Sequence, residues 1–266
     1  MKIVGVDFSG AKPDKNTWVA TGVAGPAGLV LRDCRPVRRA ELAELLAALP
    51  GDSVAALDFP FSVPEAFARF WEPAASSMPD LWAAAAGMEL ARFVALRDDF
   101  VARRGEPKRR CDTYFPESYS CLHQANPNMV PMTFYGMQML ASLWPAGCAV
   151  PPLESRQAGK AVLLEVMPGA VLRTLKLPYE GYKNGRTAGE KRRAIIDGLS
   201  SKSGVPLPNL SRFQDRCLTA HDCLDAVAAA ALWATDPHLS RLPSLESPTD
   251  AAALLEGWLY APVFLQ

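Results

Sequence analysis

Lys2-Ile3-Val4-Gly5-Val6-Asp7 is the stretch on which the architecture turns. It is short, apolar and β-branched, which reads as a buried strand, and it ends in an acid. Two later stretches repeat the pattern. Val54-Ala55-Ala56-Leu57 runs into Asp58, and Ala161-Val162-Leu163-Leu164 runs into Glu165. A carboxylate buried at a strand end is costly unless it is paired or binds a metal. A single such acid can cap a helix or leave the core for solvent. Three of them suggest a site, because α/β sheets assemble sites at the carboxyl ends of their strands.

Working outward, residues 17–24 alternate as a second strand, and Gly25-Pro26-Ala27-Gly28 is turn chemistry that pairs residues 29–34 back as a hairpin. Leu42, Leu45, Leu46 and Leu49 recur at helical spacing before Pro50-Gly51. Strand character at 53–58 is followed by a long segment, 64–152, with helices expected at 64–71, 80–102 and 133–143. After the strand at 161–166, helices are expected at 169–175, 187–202 and 221–235. A Ser/Pro-rich tail begins at Pro237, with one more helix near 249–257. A hairpin followed by strand–helix alternation predicts a mixed five-stranded sheet flanked by helices. The expected organisation is one α/β domain over 1–266, with 64–152 as a helical insertion between strands 4 and 5, capping the sheet edge near the site.

A fourth contribution comes from Thr219-Ala220-His221-Asp222-Cys223-Leu224-Asp225-Ala226, which opens an Ala-rich helix. Asp222 and Asp225 are spaced i, i+3 and so share a face. Thr219 with Asp222 also fits a capping box, which offers a purely structural role for Asp222. Asp225 lies deeper, among apolar residues, and is not explained that way. Aspartates and a glutamate without His or Cys suit a hard cation, Mg²⁺ or Mn²⁺, better than Zn²⁺.

Bulk properties set limits. Lys plus Arg and Asp plus Glu both number 28, giving zero formal net charge, so no overall basic footprint marks nucleic-acid binding. A local patch can still serve. The apolar run Ala226–Ala234 is far short of the ~20 residues of a membrane helix, and no signal-peptide core precedes Asp7. The six cysteines form no C-x-x-C pair. The expectation is a cytoplasmic protein with free thiols.

The quoted motifs, in their order, resemble a known family. Gly5-Val6-Asp7-Phe8-Ser9-Gly10-Ala11, then Asp58-Phe59-Pro60-Phe61 with Ser62 and Pro64, then Glu165-Val166-Met167-Pro168, then His221-Asp222-x-x-Asp225-Ala226, together with Arg109-Arg110-Cys111-Asp112, are similar to the domain of unknown function 429, a bacterial and archaeal family classed as predicted nucleases of ribonuclease H-like fold. A more distant resemblance is to RuvC-type junction resolvases. On that pattern Asp7, Asp222 and Asp225 carry over as metal ligands, and Asp58 or Glu165 supplies the middle acid. The resemblance implies a metal-dependent nuclease acting on DNA or RNA.

Two basic clusters stand out in the neutral chain: Arg103, Arg104, Lys108, Arg109 and Arg110, and Lys183, Arg186, Lys191, Arg192 and Arg193. Either they are solvated faces or they grip a phosphate backbone, with Arg109, Arg110 and Lys183 as the candidate contacts. Tyr114, Phe115, Tyr119, Tyr179 and Tyr182 nearby are read as anchoring loops in preference to stacking bases. His221 is read as an ordinary helix-start residue in preference to a proton shuttle. Met132, Met137 and Met139 read as packing. Two further functional classes remain open: an actin-like-fold ATPase or phosphotransferase using the Ser9-Gly10-Ala11-Lys12 turn, and a catalytically silent binding module.

Overall fold

Apolar runs flanked by a hairpin turn and long amphipathic stretches can bury their strands only between helical layers. In the computed structural model, which describes residues 1–154, 159–232 and 251–260, the strands are β1 (Lys2–Asp7), β2 (Thr17–Gly25), β3 (Gly28–Val37), β4 (Val54–Asp58), β5 (Val162–Val166) and β6 (Leu259–Tyr260). They form one sheet in the order β3-β2-β1-β4-β5-β6. β1, β2 and β3 pair antiparallel, and β1, β4, β5 and β6 pair parallel. Gly28 closes the β2–β3 hairpin at φ 95°, a conformation open to glycine. The sixth strand was not expected. It is two residues long, too short to leave a periodic signal, and it extends the parallel half beyond β5.

Helices cover both faces. On one lie α6 (Pro168–Thr174), α7 (Ala188–Lys202), α8 (Gln214–Thr219) and α9 (His221–Leu232), packed on Ile3, Val54, Ala56, Leu164 and Val166. On the other lie α1 (Arg39–Ala47), α2 (Glu65–Trp71), α3 (Met78–Ala86), α4 (Leu90–Arg104), α5 (Met129–Leu143) and α10 (Ala251–Glu256), packed on Val4, Val6, Ala55, Leu57 and Leu163. The helical segment between β4 and β5 therefore lies on a sheet face, not over an edge. Strand alternation sends successive side chains to opposite layers, so each face has its own core.

The expected single helix at 80–102 is two helices, α3 and α4, separated at Gly87-Met88. Ser77 and Asp80 start the first with a reciprocal capping box, a signal present in the sequence. The 233–235 portion of the expected last long helix, and the tail from Pro237 to Asp250, lie outside the described residues. All six cysteines are free and buried. Among the described residues, no helix is long and apolar enough to cross a membrane.

Candidate functional site: an aspartate cluster at the strand ends

β1 and β4 run parallel with Asp7 opposite Asp58. Residues paired across a ladder point to the same face, so both carboxylates leave the ends of adjacent strands on the α9 side. What brings α9 close is the lack of side-chain bulk. A Cβ on Gly5 would meet the Ala226 carbonyl oxygen at 2.1 Å and the Ala230 nitrogen at 2.5 Å. Glycine in the strand and alanines in the helix allow backbone-to-backbone packing, and that places the first turn of α9, with Asp222 and Asp225, over the end of β1.

Asp225 is fully buried. Its Oδ1 accepts a hydrogen bond from the Tyr182 hydroxyl at 2.8 Å. Its Oδ2 stands 2.8 Å from Lys183 Nζ in an ion pair. Asp222 Oδ1 lies 2.7 Å from His221 Nδ1, and its carboxylate also bonds to the Asp7 side chain. The Thr219 hydroxyl does not cap α9. It donates back to the Asp215 and Arg216 carbonyls of α8.

The electrostatics follow from crowding. Burial, then the charges of Asp225 and Asp58, push the Asp7 carboxyl well above the usual range against the pull of Lys183. Burial is also the largest influence on Asp58; Lys183 opposes it, Asp225 and Glu165 add to it, and the carboxyl is pushed up to about 7. At Asp222 burial opposes ionisation, but the His221 contact, the Asp7 side chain and Lys183 outweigh it and hold the carboxyl low. Asp7 is then the natural proton donor in the Asp7–Asp222 bond.

Glu165 goes elsewhere. β4 and β5 pair Leu57 with Glu165, one residue short of the Asp58 level, so Glu165 faces the opposite layer. There Arg109, itself buried, binds both Glu165 oxygens and both Asp112 oxygens. The Phe61 amide donates to Glu165 Oε2 at 2.9 Å. Glu256 accepts the amides of Glu65 and Arg110 at 2.6 and 2.7 Å, and its carbonyl accepts from Arg109. Burial raises the Glu165 carboxyl against the charge and hydrogen bonds of Arg109. The Arg109 guanidinium is thus engaged by carboxylates and is not presented to a phosphate. A pocket of about 100 Å³ is lined by Asp58 and Phe59 together with Arg109, Asp112, Glu165, Ser118, Tyr119, Met129 and Met132.

The structure therefore brings together Asp7, Asp58, Asp222, Asp225 and Lys183, and sets Glu165 and Arg109 apart from them. Arg110 is exposed. Tyr182 turns inward to Asp225, whereas Tyr114 and Tyr119 are 59% and 64% exposed and so do not anchor their loops by burial. Met137 and Met139 pack in the core, while Met132 is at the pocket. Asp112, Tyr182 and Glu256 were not identified as site-region residues from sequence. Asp112 stands in the quoted Arg109–Asp112 motif, which was a usable signal; Glu256 had none. His123 has a partner that lies far from it in sequence, Glu106 Oε2 at 2.6 Å. Among the described residues, no three His, Cys, Asp or Glu side chains stand ready as a metal cage.

Residues 5–236 match the model of the family described as "Protein of unknown function (DUF429)", and the chain belongs to that family. No curated protein and no solved structure matches the chain.

Proposed function

We propose that this member of the family is a divalent-metal-dependent nuclease with a ribonuclease H-like fold, hydrolysing phosphodiester bonds in DNA or RNA. The observation that carries the reading is the in-register pair Asp7 and Asp58, met from α9 by Asp225 and Asp222, with Lys183 as the one Lys or Arg ion-paired to these four among the described residues. Carboxylates so placed repel one another unless protons or a cation intervene. The sheet order, an antiparallel hairpin leading into parallel strands with a helix laid across β1, supports the fold assignment.

The donor set fits Mg²⁺ or Mn²⁺: it is oxygen only and partly buried, and Asp225 Oδ2 already holds one cation, the Lys183 ammonium at 2.8 Å. Asp7, Asp222 and Asp225 would hold the ion, with Asp58 completing the set. Such an ion makes water a stronger nucleophile at neutral pH and stabilises a leaving oxygen. The chain's own residues do the rest. Tyr182 fixes the orientation of Asp225, and His221 holds Asp222 ionised. Lys183 and the exposed Arg110 are the cations assigned to contact a phosphate backbone. Glu165 acts as a support for the loop after β4 through the Phe61 amide. The Ser9–Lys12 turn is less suited to cradling phosphates, because Gly10 packs against Pro131 and Met132 and Arg39 binds the Ser9 and Ala11 carbonyls.

A panel of single- and double-stranded DNA and RNA, incubated with Mn²⁺ or with EDTA, tests the reading. Cleavage that needs Mn²⁺ and falls by about a hundredfold or more in Asp7→Asn is expected. The second reading is a catalytically silent binding module of the same fold. Mn²⁺ binding without cleavage of any substrate would move that reading to the front.

A further inference from the structure

Lys183 is placed where a metal ion would be drawn. Its ammonium lies 2.8 Å from the fully buried Asp225, and its charge acts on Asp7, Asp58 and Asp222. Yet it is held differently from its neighbour. Tyr182 donates a well-aligned hydrogen bond to Asp225 and is buried. Lys183 reaches the same carboxylate as an ion pair at 2.8 Å, from a side chain that is 47% exposed. It sits between Gly181 and Gly185, both at positive φ. The main chain on either side is clamped, since Arg192 binds the Tyr182 and Lys183 carbonyls. The backbone is thus held, while nearly half of the side chain lies at the surface. A lysine stem can move its charged end to water without disturbing a core.

We infer that Lys183 is the removable counter-ion of the aspartate cluster: its ammonium and a divalent cation compete for the same carboxylates, and entry of the cation turns Lys183 outward to the mouth of the site. This rests on the metal-site reading above. It also accounts for the lack of a preformed cage among the described residues, because Asp225 is held by Lys183 while Asp222 is turned to His221 and Asp7. Once displaced, the amine stands beside the cluster as a point charge for an incoming phosphate. The side chain then serves in two states, as the cluster's internal cation and as a substrate contact.

Mn²⁺ binding to the full chain, measured by titration calorimetry for wild type, Lys183→Met and Lys183→Gln, tests this. Removing a competitor raises apparent affinity by the fraction of sites it had occupied, so both variants are expected to bind Mn²⁺ roughly tenfold tighter or better. Wild-type binding with equal or weaker binding in the variants overturns the competition and leaves the metal site standing. No binding in any of the three overturns both. A second measurement needs no variant. Acetylation of Lys183 in the wild type, followed by mass spectrometry, is expected to speed up several-fold when Mn²⁺ is added. An unchanged or slower rate overturns the displacement.

Discussion

The two faces of one sheet end carry two buried acidic groups, and they are balanced differently. On the insertion side, Arg109 joins Asp112 and Glu165 with paired hydrogen bonds, and Glu256 is satisfied by two backbone amides. Every acid there has fixed donors. On the α9 side, Asp7, Asp58, Asp222 and Asp225 share one half-exposed ammonium, a hydrogen bond from Tyr182 to Asp225 and the contact of Asp222 with His221. Buried charge that is fully matched ties elements together; here it joins the 109–112 segment, β5 and the end of α10. Buried charge in surplus demands a proton or a cation. The same residue types at neighbouring strand ends therefore serve architecture on one face and, in our reading, chemistry on the other.

The contrast can be broken most forcefully at Arg109. Arg109→Met strands two buried carboxylates, and breaking a buried pair from one side costs about 3–5 kcal/mol. A fall in Tm of about 10 °C is expected by calorimetry, given about 2–4 °C per kcal/mol for a chain of this size. A change of only a degree or two would mean that the insertion-side group is not structural.

Next in size is the response to metal. Mn²⁺ at a hundredfold above its Kd adds about 2.7 kcal/mol of stability, so the wild-type Tm is expected to rise by several degrees. Asp225→Asn is expected to lose that rise. Glu165→Gln, on the balanced face, is expected to keep it; if Glu165→Gln abolishes it instead, the division between the faces is misplaced.

The pH dependence sharpens the comparison further. Asp58, pushed up to about 7, binds its proton more tightly folded than unfolded. Its contribution to metal-free stability is therefore full below the unfolded value near 4 and is lost as pH rises through about 7. Asp58→Asn is expected to remove that loss, so that the variant melts above wild type at pH 8 and by a clearly smaller margin at pH 5, by thermal melts without metal. Metal affinity runs the other way. Mn²⁺ binding should strengthen from pH 6 to 8 and release protons, which calorimetry in buffers of different ionisation enthalpy detects.

The smallest expected effect is Glu256→Gln. One carboxylate oxygen becomes an amide donor facing a backbone N–H, a loss of about 1–2 kcal/mol, read as a Tm decrease of a few degrees with the Mn²⁺ response intact.

How much of this was legible in the sequence depends on distance along the chain. The acids at Asp7 and Asp58 each end an apolar run, and Asp225 sits among apolar helix residues, so their burial could be read locally. The separation of Glu165 could not, because it depends on register. Asp7 and Asp58 are the last residues of their strands, whereas Glu165 is followed by Val166 within β5, and a one-residue offset in a pleat sends a side chain to the other face. The role of Arg109 was equally hidden, since a basic run on a loop looks the same whether its arginine meets solvent or a glutamate 56 residues away. Glu256 and β6 were beyond local reading: one acts through partners far away in the chain, and the other is two residues long.

Gly5 bears on the cluster in a different way. It carries no charge and touches no ligand, yet the absent methyl group at that position is the gauge that sets how near the Asp225 helix rests to the Asp7 strand. Any side chain there would act as a shim between two halves of a clamp. The tolerance of the site to change is thus governed at one of its tightest points by a residue that no inventory of acids, bases and donors would include.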